Sequence, residues 1–488
     1  MNAAPPKDAV RTSADAKAPA SADDMRRPLT WQTFAFLTVA SLVSIAQLPA
    51  AAEYGLGAVT LYLLPALLFL IPVALVAAEL AMMRNGGVFD WVAAGLNERM
   101  GFQAIWLQWI QSVALYPSLL SFAAASLAYA IGRSDLATNG LYTGAVVLLI
   151  FWAATLIALR GLGAMARISS WGAIVGTLIP AAALIGLMIV WLAGGKPSQA
   201  PLHASSIVPP FAGLASIVLI VSNFIALGGL EVSAVHIRDM RRPVRDYLKA
   251  VTLAVVLGLL IYIPGTVAVA VAVPTKQIDL NAGAAQAFAH FTGGLGVGWL
   301  GPILSALLLV GALAGSLSWV AGPSRGLLFV GQQGYLPPQL QRLNRHGVQA
   351  PILLVQGAIV TVLSVLFVIV PGVSDAFWVL QAMTAILYLL MYVLMFAAAW
   401  RLRRKEPDAP RPFKTPLLPL VAGVGALAAL AGIGIGLIPP SQLDEGSHVV
   451  YTLGLIAGVL LLAVPPQIIY RLRRPAWRAA SSEAATGD

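Results

Sequence analysis

Apolar stretches of about twenty residues recur along the chain, separated by short polar connections. A helix needs roughly 20 apolar residues to cross bilayer hydrocarbon. The pattern predicts twelve such spans, at residues 30–56, 59–83, 102–131, 140–160, 166–193, 211–236, 246–272, 298–322, 350–371, 375–400, 416–438 and 449–470. The fold class is therefore an all-α polytopic membrane protein with 12 transmembrane helices. Two connections are half apolar, residues 84–101 after span two and 273–297 after span seven. Each reads as a helix lying at the membrane surface or folded into a vestibule, with Asn281 as the N-cap of the second.

The basic residues orient these spans. Apart from Arg133, Lys196 and Lys276, every lysine and arginine falls in the N-terminal segment or in connections on one side of the alternating pattern. The positive-inside rule then places both termini in the cytoplasm, and the Ala/Gly/Arg-rich usage favours a bacterial source, hence an inner membrane. Residues 1–28 are rich in Ala, Pro, Asp and Lys and lack an apolar core, so they read as a disordered cytoplasmic tail and not as a signal peptide. The membrane domain is 29–472, followed by a short cytoplasmic tail at 473–488. The run Arg238, Arg241, Arg242, Arg245 and Lys249 anchors one span end, and the GPSRG stretch at 322–326 is expected to end span eight.

Composition agrees. The chain is 59% hydrophobic and only 10% charged, with a mean hydropathy of +0.84, whereas soluble domains carry about 25% charged residues. A net charge of +10 gathered at span ends points to membrane orientation and not to nucleic acid. With no cysteine, disulfides, thiolate metal centres and cysteine nucleophiles are excluded, and no cofactor is expected.

With this orientation, the half-apolar connections after spans two and seven lie on opposite sides, five spans apart. An inverted repeat of 30–193 and 211–400, with 416–472 appended, gives that arrangement and predicts breaks in spans one and six. Span six has them. It is apolar up to Gly228 and Gly229 and then places Glu231 mid-membrane. An intramembrane carboxylate costs about 2.5–3.5 kcal/mol and marks a functional site by default. Span one gathers Ser41, Ser44, Gln47 and Pro49, with a proline that cannot donate to the helix ladder. Backbone groups at Ser44, Ile45, Ala46 and Ile225–Gly229, released by such breaks, are the candidates for facing a ligand, with Glu231 beside them. The other glutamates inside spans, Glu53 and Glu79, read as structural. A buried carboxylate on a broken helix suggests a transporter.

The wording GGLEVSAVHIRDMRRPVRDY (228–247), GALAGSLSWVAGPSRGLL (311–328) and IPVALVAAELAMMRNGGVFDWVAAGLNERMGFQAI (71–105) resembles the amino acid–polyamine–organocation (APC) superfamily. Within it, the likeness is to the bacterial glutamate/GABA antiporter family, over residues 30 to 470. The resemblance implies a LeuT-like 5+5 inverted repeat with broken helices 1 and 6. The function it implies is the exchange of an amino acid or its decarboxylated amine by alternating access. It also implies that Glu231 couples and gates, and that Tyr388 and Tyr392 line the path. Trp109 stands where the family carries a path tyrosine, and Trp106 reads as packing. Gly315, beside Ser316, replaces a family acid. The family's long C-terminal plug has no counterpart in the 473–488 tail, so transport is expected without a tail-imposed shut-off.

The alternative within transport is a proton- or sodium-coupled amino-acid symporter, for which Ser316 and Ser318 could supply oxygen ligands. A membrane enzyme needs clustered acids, bases or metal ligands, and His203, His236, His290, His346 and His448 are scattered. A channel needs a filter or ring motif, and none is visible.

Overall fold

The computed structural model describes residues 30–161, 172, 174–441 and 448–478. The tail expected at 1–28, most of the expected C-terminal tail, and the start of span five with Arg167 lie outside them. Among the described residues the chain is helical, with one isolated antiparallel bridge between Gln333 and Arg478. Eleven helices among the described residues are long and apolar enough to cross a membrane, and they coincide with spans two to twelve. Span one does not qualify, because its helix is divided into Trp31–Leu42 and Leu48–Ala52. The chain is thus a multi-pass membrane protein.

Two spans contain wide π turns, Ala66–Leu70 in span two and Ile174–Leu178 in span five. Each runs directly into a helix whose second residue is a proline, Pro72 and Pro180. Proline offers no N–H and crowds the preceding turn, and a wider turn makes room for the ring. The wide turn of span five carries Gly176, which meets span eight backbone to backbone. A Cβ on Gly176 would lie 2.0 Å from the Gly311 nitrogen, and one on Gly172 would lie 2.2 Å from the Ala314 Cβ. Spans five and eight cross on a stripe of small residues, the way helices approach closely in lipid.

The two half-apolar connections fold inward. After span two the helix Gly87–Gly95 buries Trp91 completely and rests Gly95 against the Ala398 backbone of span ten. After span seven the helix Gly283–Gly294 lies over the second half of span one, where a Cβ on Gly283 would be 2.9 Å from that of Pro49. Asn281 does not cap this helix, contrary to expectation. It sits one residue before the cap position and donates to the Ala137 carbonyl at 3.4 Å. The helix start is held by Asp279, whose carbonyl accepts the Gly283 N–H at 2.8 Å and whose carboxylate accepts the Gln286 amide at 2.8 Å.

Span eight also departs from expectation. It continues through Gly322–Gly326 as one helix, Leu300–Gln332. Ser324 stabilises the stretch after Pro323, donating to the Val320 carbonyl at 3.1 Å and accepting the Gln349 amide at 2.9 Å. Hydroxyls that satisfy nearby carbonyls let membrane helices tolerate an internal proline.

At the basic end of span two, Glu79 is buried among donors. It accepts from Arg403 near the end of span ten through two nitrogens, from the Thr415 N–H at 2.8 Å, and faces the Arg411 Nε at 3.4 Å. The Thr415 hydroxyl in turn donates to the Leu75 carbonyl at 2.9 Å. Glu79 is structural, as expected. It joins span two to span ten and to the connection ahead of span eleven.

Candidate functional site

Span six is interrupted where its sequence changes character. Val221–Ala226 is helical, Leu227–Gly229 is not, and Leu230–Ala234 is helical again. Gly229 adopts φ +105° and ψ −4°, a left-handed conformation open to glycine and strained for other residues. Gly228 serves a different purpose, since a Cβ there would lie 2.7 Å from the Tyr388 ring. One glycine turns the chain and the other admits an aromatic ring.

Glu231 stands in the first turn after this break and is 0% exposed. Its Oε1 accepts from the Tyr388 hydroxyl at 2.7 Å and from the Gln108 amide at 3.2 Å, and its Oε2 accepts from the Tyr392 hydroxyl. Among the described residues its hydrogen-bonding partners are all neutral. Tyr388 and Tyr392 lie one turn apart on span ten, with ring centroids 4.8 Å apart. Tyr392 also accepts the Gly229 N–H at 2.9 Å, so it connects the broken backbone to the carboxylate. Its ring stands edge-on to Phe69 of span two at 4.9 Å.

Span one breaks at Val43 and Ser44, both extended, with φ/ψ of −81°/118° and −133°/119°. The chain then re-enters helix through Ile45–Gln47, and Pro49 occupies the first turn of Leu48–Ala52. That position tolerates proline because the N–H there has no intrahelical partner. Pro49 therefore follows the break and does not make it. Ile45, Ala46 and Gln47 are all buried. The Gln47 amide oxygen accepts from Gln381 of span ten at 2.8 Å, and Gln381 accepts from the Ser118 hydroxyl of span three at 3.3 Å.

The other candidates are not among the side-chain hydrogen-bond partners of Glu231, which among the described residues are Gln108, Tyr388 and Tyr392. Trp109 is buried but donates to Gln356 of span nine at 3.1 Å, while its neighbour Gln108 faces Glu231. Successive helical positions point about 100° apart, so naming Trp109 missed the residue on the carboxylate's side by one place. Trp106 packs edge-on against Trp109 and donates to the Leu462 carbonyl at 2.8 Å. Ser316 bonds back to the Leu313 carbonyl of its own helix at 2.8 Å. A Cβ on Gly315 would meet nothing within 4 Å. The side chain of Ser318 lies outside the described residues. Beyond Gln108, the sequence reading also missed Tyr262 of span seven and Gln381 of span ten. Polar groups inside apolar spans were the available signal.

The amino acid permease family model matches residues 29–462. The chain belongs to the amino acid permease family. Similar members include an uncharacterized transporter of Legionella pneumophila, 35% identical over 436 residues that cover 88% of this chain and 94% of that one. A glutamate/gamma-aminobutyrate antiporter of Lactococcus lactis is 33% identical over 451 residues, 90% of this chain and 89% of the relative. A probable agmatine/putrescine antiporter of the same species is 24% identical over 351 residues, covering 71% and 73%. For an amino acid permease, the broken spans one and six and the buried Glu231 supply backbone and carboxylate groups suited to a zwitterion or an amine. The family is one of transporters, not enzymes.

Proposed function

We propose that this permease exchanges an amino acid for an amine, its decarboxylated product, across the bacterial inner membrane by alternating access. Twelve spans with both termini cytoplasmic, an inverted repeat of 30–193 and 211–400, and two appended helices at 416–472 form its frame. The broken backbone at Ser44–Ala46 and Ile225–Gly229 holds the substrate's charged ends. Gln47, Gly315 and Ser316 belong to the surrounding path, and Glu231 with Tyr388 and Tyr392 forms the gate. Trp109 acts at one remove, as a wall of span three beside Gln108.

One observation carries the reading. A completely buried carboxylate at a helix break is held by neutral donors, namely Gln108, Tyr388 and Tyr392. A glutamate serving only structure inside a membrane gains most from a cation, as Glu79 does. Glu231 is left able to take a proton or a substrate ammonium when the tyrosines turn away. The names of the Lactococcus lactis relatives support the pairing of amino acid with amine.

The test is counterflow into proteoliposomes over a panel of amino acids and their amines. Exchange that requires substrate inside the vesicle is expected, and uptake that follows a proton or sodium gradient alone would make the protein a symporter. Glu231→Gln is expected to lower exchange at least about tenfold, the factor equivalent to ~1.4 kcal/mol of lost gating interaction, with membrane insertion intact. Near-wild-type counterflow in that variant would remove Glu231 from the mechanism.

A further inference from the structure

Both helix breaks end on the same hydroxyl. Tyr262, on span seven (Pro243–Ala272), accepts the Ser44 N–H at 3.1 Å and donates to the Ala226 carbonyl at 3.3 Å. The ring is 1% exposed and stacks on Tyr62 of span two, with centroids 5.3 Å apart and planes 14° from parallel. The two backbone groups are left over from the broken helices. Ser44 is extended and precedes its half-helix, and Ala226 is the last residue of Val221–Ala226. An orphan N–H and an orphan C=O in a buried site are costly to leave without partners.

These orphans have opposite preferences. The N–H favours a carboxylate and the C=O favours an ammonium. A phenol hydroxyl is both acceptor and donor, so one neutral group satisfies both in the protein without substrate. We propose that Tyr262 is a latch: it fills the backbone groups of the empty site, ties the span-one break to the span-six break, and is displaced by the substrate's charged ends. The inference rests on the reading of Ser44–Ala46 and Ile225–Gly229 as the groups that receive substrate. It adds a positioning residue on span seven that competes with substrate instead of holding it.

The sign of the effect follows. Tyr262→Phe keeps the ring and its stack on Tyr62 and removes only the hydroxyl. In the empty protein the Ser44 N–H then loses its partner, whereas in the loaded protein the substrate satisfies it. Removing the latch therefore raises the empty state and leaves the loaded state little changed. The Kd of the substrate identified by counterflow, measured on purified protein, is expected to fall roughly three- to tenfold, the range spanned by one neutral hydrogen bond. KM is expected to fall with it, and kcat to fall because release slows. The Tm of the empty protein drops, while the increase on saturation with substrate grows.

A lower Tm with an unchanged Kd would make the hydroxyl merely structural and overturn the latch. A Kd that rises would make Tyr262 a ligand of the substrate and overturn it equally. If Tyr262→Phe does not fold, Tyr62→Leu removes the stacking ring and keeps the hydroxyl, and it is expected to tighten binding by a smaller factor. An unchanged or weakened Kd there also counts against the latch. Failure of the underlying reading is distinguishable: wild-type protein would then bind and exchange none of the amino acids or amines in the panel.

Discussion

The hydrogen bonds around Glu231 have a direction. The Gly229 N–H donates to the Tyr392 hydroxyl, which must spend its own hydrogen on Glu231 Oε2. Tyr388, which among the described residues has no such backbone donor, gives its hydrogen to Oε1. When Glu231 gains a proton, one neighbouring hydroxyl has to become an acceptor, and Tyr388 is the one free to reverse. The two tyrosines should therefore respond differently to removal of the hydroxyl. Tyr392→Phe takes a partner from both the Gly229 N–H and Oε2, whereas Tyr388→Phe takes one from Oε1 alone and leaves it with Gln108. Tyr392→Phe is expected to be less stable by about 1–3 kcal/mol, the cost of one further unsatisfied buried group. Thermal unfolding in one detergent compares the pair, and equal losses would remove the asymmetry. Glu231 was legible because an ionisable group stands out in an apolar run, and Tyr388 and Tyr392 because they match path tyrosines of the family that the chain resembles. Gln108 and Tyr262 were not, because what distinguishes them is the group they face, and facing is set by tertiary packing.

At the scale of elements, the breaks were legible in unequal degree. Gly228-Gly229 announces a helix interruption, and span six breaks there. Span one offered a proline, and the break lies ahead of it at Val43–Ser44, where no glycine marks the sequence. What holds those residues extended is partly the remote Tyr262 hydroxyl, which local sequence cannot report. The same limit hid the crossing of spans five and eight, because a glycine at a contact and a glycine facing open space look alike in sequence. Two substitutions four residues apart expose the difference. A Cβ at Gly311 would lie 2.1 Å from the Gly176 carbonyl oxygen, and one at Gly315 would meet nothing within 4 Å. Gly311→Ala forces the helices apart and is expected to cost about 1–3 kcal/mol, the scale of overpacking. Gly315→Ala should stay within about 0.5 kcal/mol of wild type. Comparable unfolding temperatures for the two variants would refute this account of the crossing.

For the whole molecule, hydrophobic patterning carried most of the architecture, since a bilayer demands length and apolarity that are counted directly from residues. It did not give the internal ties between distant spans. Glu79 was read as structural, but its partners, Arg403, Arg411 and Thr415, are more than 320 positions away in the chain. Glu79→Gln leaves two guanidinium groups facing a neutral amide and is expected to destabilise the fold by about 3–5 kcal/mol, as when one member of a buried ion pair is removed. Transport per folded molecule should be spared. A variant that folds normally and transports poorly would move Glu79 from the frame to the working parts.

That ion-pair cluster also bears on how the proposed gate would open. Span ten is fastened to span two at its basic end through Glu79, while the middle of the same helix presents Tyr388 and Tyr392 to Glu231. A helix clamped in this way behaves as a fixed post. In the proposed mechanism, the hydroxyls it carries would let go of Glu231 by swinging their rings, while the short half-helices of spans one and six would do the travelling. The gate can then open with little lipid displaced around span ten, and thickening or thinning the surrounding bilayer should leave this step largely unaffected.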